Sequence, residues 1–214
     1  MQKSIKTILL FFLLTPLWGA GGLQAQNTET TDEGVIINGI KWATRNVDMP
    51  GTFAETPESA GMFYQWNRKK AWNVTDSIIT GWDETEPIGD MWEKENDPCP
   101  IGWRVPTEKE QQRLVDTAKV TNKWITQNGT IGLKFTDETA KDSLFLPAKG
   151  FRSYYGHSGI SGKLISADVC AYYWSSVPLN GYGVVVYHMK ITKSGADVYY
   201  GYRKYGHFVR CVAE

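Results

Sequence analysis

From Val184 to the C-terminus the chain alternates strand-like runs with short breaks, and this constrains its fold more than any other feature. Val184–Ile191 forms one run, Val198–Tyr202 a second and Phe208–Val212 a third, with a turn at Lys193-Ser194-Gly195. Sequential strands with short connections give an antiparallel meander. A second signal lies near the other end, where Asn38-Gly39 separates Val35–Ile37 from Ile40–Ala43. Asn-Gly between apolar runs specifies a hairpin, because both residues accept the positive φ that the tight turn demands.

Helical signals lie elsewhere. Thr107 and Glu110 form a T-x-x-E capping box just after Pro106, and Leu114, Val115 and Ala118 continue it with apolar residues at helical spacing. A second short helix is expected over residues 57–66, beginning at Pro57 with Thr56 as its cap. Residues 73–98 read as loop, and short strands with turns are expected from Leu133 onward. Helices and strands are segregated along the chain, so the expected class is α+β.

The N-terminus has the layout of a secretion signal. Lys3 and Lys6 precede the apolar run Ile8–Leu14, and small residues lead to Ala25, the expected cleavage point. Residues 1–25 are therefore expected to be removed and residues 26–33, QNTETTDE, to form a disordered leader. Residues 34–214 remain as one domain, with no membrane-spanning segment. Export permits disulfides, and the three cysteines leave one over. Joining Cys99 to Cys211 closes a loop of 112 residues. Cys170 is then a small buried hydrophobe. Formal charge is zero, which argues against a nucleic-acid partner. Aromatic residues make up 13% of the chain, and most of its nine tryptophans are expected to fill the core.

Several stretches resemble a known family: GIKWA with Asn46-Val47 (39–47), GMFYQW (61–66), DPCPIGWRVPT (97–107), LPAKGFR (146–152), YWSS (173–176) and VRCV (209–212). Together they resemble the Fibrobacter succinogenes major paralogous domain, common in exported Bacteroidota proteins. The resemblance covers about residues 34–214. It implies a C-type-lectin-like fold, in the branch that includes formylglycine-generating enzymes, and it supports pairing Cys99 with Cys211. On physical grounds the 97–107 block is scaffold: Pro98 and Pro100 fix extended backbone around Cys99, and Trp103 and Val105 share a face. Arg104, Arg152 and Arg210 are expected to pair with buried carboxylates or backbone carbonyls.

The enzyme branch of the resemblance implies paired cysteines, close in sequence, that hold copper. No such pair occurs here. His157, His188 and His207 are scattered and lack metal-motif spacing, and no Gly-x-Ser-x-Gly elbow exists. The acidic pairs Asp83/Glu84 and Glu93/Glu95 read as solvated loop charge. The calcium site of sugar-binding lectins is also missing: Glu86-Pro87-Ile88 and Trp72-Asn73-Val74 place apolar side chains where oxygen ligands are needed. No enzyme activity, cofactor or metal is expected.

Six of the eleven tyrosines fall between Tyr182 and Tyr205, interleaved with Gly, His, Lys and Arg. Tyrosine offers large amphipathic contact area at low entropic cost, and small polar residues adapt around it. Alternation places Tyr200 and Tyr202 on one strand face and Tyr199 and Arg203 on the other, so some of these rings must be exposed. The segment from YWSS to VRCV is also similar to the variable region of lectin-like proteins diversified by retroelements, which implies a ligand patch between those anchors. The candidate contacts are Asn180, Tyr182, Tyr187, Tyr199, Tyr200, Tyr202, Arg203 and Tyr205. The expected function is an exported or cell-surface binding domain for a carbohydrate or protein ligand. A divergent formylglycine-generating-type oxidase and a structural subunit of a surface assembly are the alternatives.

Overall fold

The computed structural model describes residues 31–214; the expected signal segment and residues 26–30 of the leader lie outside them. The rest of the leader is not loose. Asp32 is buried, and its carboxylate accepts hydrogen bonds from the backbone N–H groups of Gly34, Thr44 and Arg45 and from the Thr44 hydroxyl.

The Asn38-Gly39 hairpin joins β1 (Val35–Ile37) to β2 (Ile40–Trp42), with φ of 45° and 75° at the turn residues. No helix begins at Pro57. The buried Phe63–Gln65 form β3, followed by β4 (Ala71–Trp72). Phe63, Tyr64 and Gln65 are all buried, so this segment is covered on both faces of its sheet, a demand no single amphipathic stripe would meet. The long loop that follows holds only one 3-10 turn, Lys94–Asn96.

β5 (Trp103–Arg104) leads into α1 (Glu108–Leu114), whose capping box is complete: the Thr107 hydroxyl accepts from Glu110 N–H and the Glu110 carboxylate accepts from Thr107 N–H. The helix stops at Leu114, so Ala118 does not extend its stripe. Asp116 instead accepts from Ala118 N–H and turns the chain into β6 (Val120–Gln127). A second Asn-Gly hairpin, at Asn128-Gly129, connects β6 to β7 (Thr130–Asp137), and β8 (Ser143–Pro147) completes that sheet.

Next come β9 (Phe151–Arg152), the single-turn helix α2 (Tyr155–Ser158) and β10 (Leu164–Ile165). The C-terminal sheet is β11 (Cys170–Pro178), β12 (Val185–Thr192) and β13 (Gly195–Tyr202), paired in that order. The hairpin between the last two follows the sequence reading. The expected third strand does not. Phe208 instead lies parallel beside β11, exchanging backbone hydrogen bonds with Tyr172 and Trp174. On either side of it, β14 (Gly206–His207) joins β3 and β9, and β15 (Val212–Ala213) joins β2 and β5.

The class is therefore mostly β rather than α+β: strands make up 40% of the structure and helices 8%, in four small antiparallel sheets. Helix signals at the chain level were genuine at one cap only, and each helix ends after one or two turns. The expected lectin-like α+β arrangement is overturned with the class.

Two apolar clusters hold the sheets together. The larger packs Trp42, Phe63, Trp72 and Trp82 against Leu133, Phe135, Leu146, Tyr173, Met189 and Phe208. The smaller gathers Tyr64, Trp66, Trp92, Trp174, Val186, Val209 and Cys211. Cys99 and Cys211 form the disulfide, and Cys170 is free and buried. Arg152 and Arg210 are fully buried and donate to carbonyls: Arg152 to Asn73, Asp76 and Gly162, and Arg210 to Ala43 and the Asn46 amide oxygen. Arg104 pairs with the Glu110 carboxylate at 2.6 Å. Among the described residues, no helix is long and apolar enough to cross a membrane.

Candidate functional site

The tyrosine-rich segment is built on the β12–β13 hairpin. Across it Val185 faces Tyr202, Tyr187 faces Tyr200 and His188 faces Tyr199. Near the turn, Met189, Ile191 and Ala196 pack into the main core. At the far end the hairpin stands clear: Tyr199, Tyr200 and Tyr202 are 49%, 62% and 46% exposed, and Tyr182 in the β11–β12 loop is 64% exposed. Successive residues of a strand point to opposite faces, so the exposure of both Tyr199 and Tyr200 means that β13 presents an open ring on each face, although the cross-strand neighbours Val186 and His188 are buried. Gly181 and Gly183 flank Tyr182 with open space around them, and Asn180 is exposed beside them.

The other candidates sit deeper. Tyr187 is half-buried. Arg203, expected on the surface, is only 4% exposed. Its guanidinium lies 4.3 Å from the Trp66 ring centre and donates to the carbonyls of Pro87 and Gly89, while its backbone N–H donates to Val184. Arg203 therefore anchors the 87–89 loop against the end of the hairpin. Tyr205 is half-buried, its ring stacked on His207 at 5.5 Å and its hydroxyl 2.9 Å from His157 Nδ1.

Behind these rings lies a cluster the sequence did not disclose. His157, His188 and His207, far apart in the chain, come together among Phe151, Tyr172, Trp174 and Tyr205. His207 stacks on Trp174 at 3.9 Å and meets His188 edge-on at 4.8 Å. Gly201 makes room for this packing, since a Cβ there would sit 2.9 Å from His188 Cε1. Burial holds the His188 imidazole down to about 3, aided by the Lys190 charge, and holds His207 well below the usual histidine range. Both stay neutral at pH 7 and both are sealed from solvent, so neither offers an accessible acid or base.

Tyr154, just before α2, also joins the site. Its ring contacts Tyr202 at 5.5 Å and Tyr205 at 5.0 Å. Burial, then the neighbouring Tyr154 and Tyr202, push the Tyr205 phenol up to about 12, and burial also raises Tyr154. These phenols remain neutral at pH 7, able to stack and to hydrogen-bond. The Cys170 thiol is likewise raised by burial. Two hollows in the surface lie elsewhere, one lined by Asp32, Arg45 and Glu55 and one by Gln127, Lys134 and Phe145; neither touches the tyrosines. Among the described residues no group of His, Cys, Asp and Glu is arranged to hold a metal.

No family profile, curated protein or solved structure matches the sequence.

Proposed function

We propose that this chain is an exported binding domain without enzymatic activity, recognising a protein or carbohydrate ligand through the open end of the β12–β13 hairpin. The observation that carries the reading is the exposure of Tyr182, Tyr199, Tyr200 and Tyr202 on one hairpin end and its adjoining loop. Large rings gain by leaving water, and a fold with an extensive aromatic core has left these four outside it. Tyr199, Tyr200 and Tyr202 stand on an anchored base, because Arg203 and the histidine cluster fix the strand ends beneath them, and Tyr182 adjoins them on its loop. A preorganised platform loses little conformational entropy on binding.

The resemblance to the Fibrobacter succinogenes paralogous domain supports export and a surface role. An oxidase reading loses ground because Cys211 is occupied by its bond to Cys99, which leaves Cys170 as a single buried thiol. Glycan arrays and pull-downs with the exported form should identify a ligand. Its binding should weaken at least about tenfold in Tyr199→Ala/Tyr202→Ala, the loss expected for removing two ring contacts. Ligand binding that is unchanged in the double variant would overturn the assignment of this surface.

A further inference from the structure

Tyr154, Tyr202 and Tyr205 reach one spot from three segments: the approach to α2, the end of β13 and the loop after it. Their ring centres are 5.5 Å (154–202), 5.0 Å (154–205) and 6.5 Å (202–205) apart, with planes inclined by 60°, 73° and 54°. Tyr154 and Tyr205 meet edge to face and the other two pairs are tilted, so the ring faces at this corner are turned steeply to one another and do not stack. Tyr202 keeps nearly half its surface open to solvent.

A carboxylate lies against this corner. Glu84 accepts from the backbone N–H of Tyr155 at 2.9 Å and from the Ser161 hydroxyl. Both donors are neutral, and among the described residues no Lys or Arg pairs with Glu84. Its neighbours are already compensated, Asp83 by Arg68 and Glu86 by Lys204. One negative charge is thus left without a cationic partner close to Tyr154, whose phenol it helps to raise after burial and Tyr202.

The cations of the fold sharpen the contrast. Lys41 lies over Trp103, Lys70 over Trp72, Lys190 over Tyr172 and Arg203 over Trp66. Among the described residues no such cation lies over Tyr154, Tyr202 or Tyr205. Ring faces carry negative potential and attract cations, most strongly those that shed water easily. A hard metal ion would demand several oxygen ligands, which this corner lacks. A neutral sugar could donate hydroxyls to the carboxylate but would leave its charge unbalanced. An ammonium whose charge is spread over methyl groups satisfies both features.

We propose that Tyr154, Tyr202 and Tyr205, with Glu84 beside them, form a binding site for a methylated or quaternary ammonium group. The proposal rests on reading the tyrosine-rich end as a recognition surface, and it extends that surface to the segment before α2.

The test is a titration of the exported form with choline chloride at fixed ionic strength, followed by intrinsic fluorescence or NMR. The neutral isostere 3,3-dimethylbutan-1-ol serves as the control of shape, and a trimethyllysine peptide serves as a second source of the same group. At least one of the two cations should bind about tenfold or more tighter than the isostere, and the preferred one names the source. Tyr154→Ala and Glu84→Gln should each weaken binding several-fold, whereas Tyr202→Phe should keep it, because the ring face and not the hydroxyl makes the contact. The proposal is overturned if neither cation exceeds the isostere, or if Tyr202→Phe loses as much as Tyr202→Ala. Tyr199 lies outside this corner. If Tyr199→Ala weakens capture of a macromolecular ligand while choline and the peptide fail to bind, the ammonium site alone is wrong. If the cations bind but ligand capture survives Tyr199→Ala/Tyr202→Ala, the broader reading alone is wrong.

Discussion

Burial of His188 and His207 ties the stability of the domain to pH in one direction. In the unfolded chain both imidazoles gain a proton as pH falls through about 6.5. In the folded protein burial makes His188 resist protonation down to about 3, and burial beside His188 holds His207 well below its ordinary range too. The unfolded state therefore binds more protons across that window. Stability is full above about 6.5 and falls on acidification, by about 1.4 kcal/mol per pH unit for each histidine. Urea unfolding of the wild type at pH 7 and pH 5 should show this loss. His188→Phe should reduce the difference between the two pH values by about 2 kcal/mol, whatever it does to stability at pH 7. An unchanged difference would show that His188 is not held neutral. None of this was legible in the sequence, where His157, His188 and His207 looked isolated. Their meeting depends on strand pairings among β9, β11, β12 and β14 that no local spacing encodes. Arg203 was misplaced for a related reason: alternation assigns it to a strand face, but the chain has left the ladder by that residue and turns the side chain inward to loop carbonyls.

Among the elements, what could be read depended on local chemistry. Asn38-Gly39 and the Thr107–Glu110 capping box specify their structures within four residues, and both formed. Asn128-Gly129 carries the same turn signal, yet β6 was missed because its residues Val120–Gln127 are mostly polar and resemble a loop. The third C-terminal strand failed differently. Phe208–Val212 is strand-like in composition, but its partners are distant segments and not the preceding hairpin. The glycines offer a graded test of the hairpin reading. Gly129 has φ of 81° with open space around it, so Gly129→Ala should cost only the backbone strain, about 1–2 kcal/mol. Gly150 has φ of 77°, and a Cβ there would lie 2.2 Å from the Ile165 carbonyl oxygen. Gly150→Ala should add a steric cost of about 1–3 kcal/mol to the same strain. Denaturant midpoints that ranked the two variants in the opposite order would contradict this packing.

On the scale of the molecule, the chain closes on itself. β15 lies between β2 and β5, and the backbone N–H groups of Ala43 and Val47 donate to the carbonyls of Cys211 and Val209. The disulfide reinforces this closure by fastening the entry to β5 to the last strand. Three cysteines alone leave three pairings open, and what favoured this one was the family resemblance of the blocks around Cys99 and Cys211. The architecture was not legible, because four small sheets share strands from remote parts of the chain. Linking residues so far apart restricts the unfolded ensemble strongly, so Cys99→Ser/Cys211→Ser should lose about 2–5 kcal/mol of stability. The remaining thiol reports on the same closure. Cys170 is buried, and burial raises its pKa, so an aromatic disulfide reagent should detect no thiol in the native protein and one per chain in denaturant. In the double serine variant that single thiol should react faster under native conditions, because a less stable fold opens more often. Equal reaction rates in the variant and the wild type would mean that the disulfide fastens the ends of the chain without stabilising the sheet that holds Cys170.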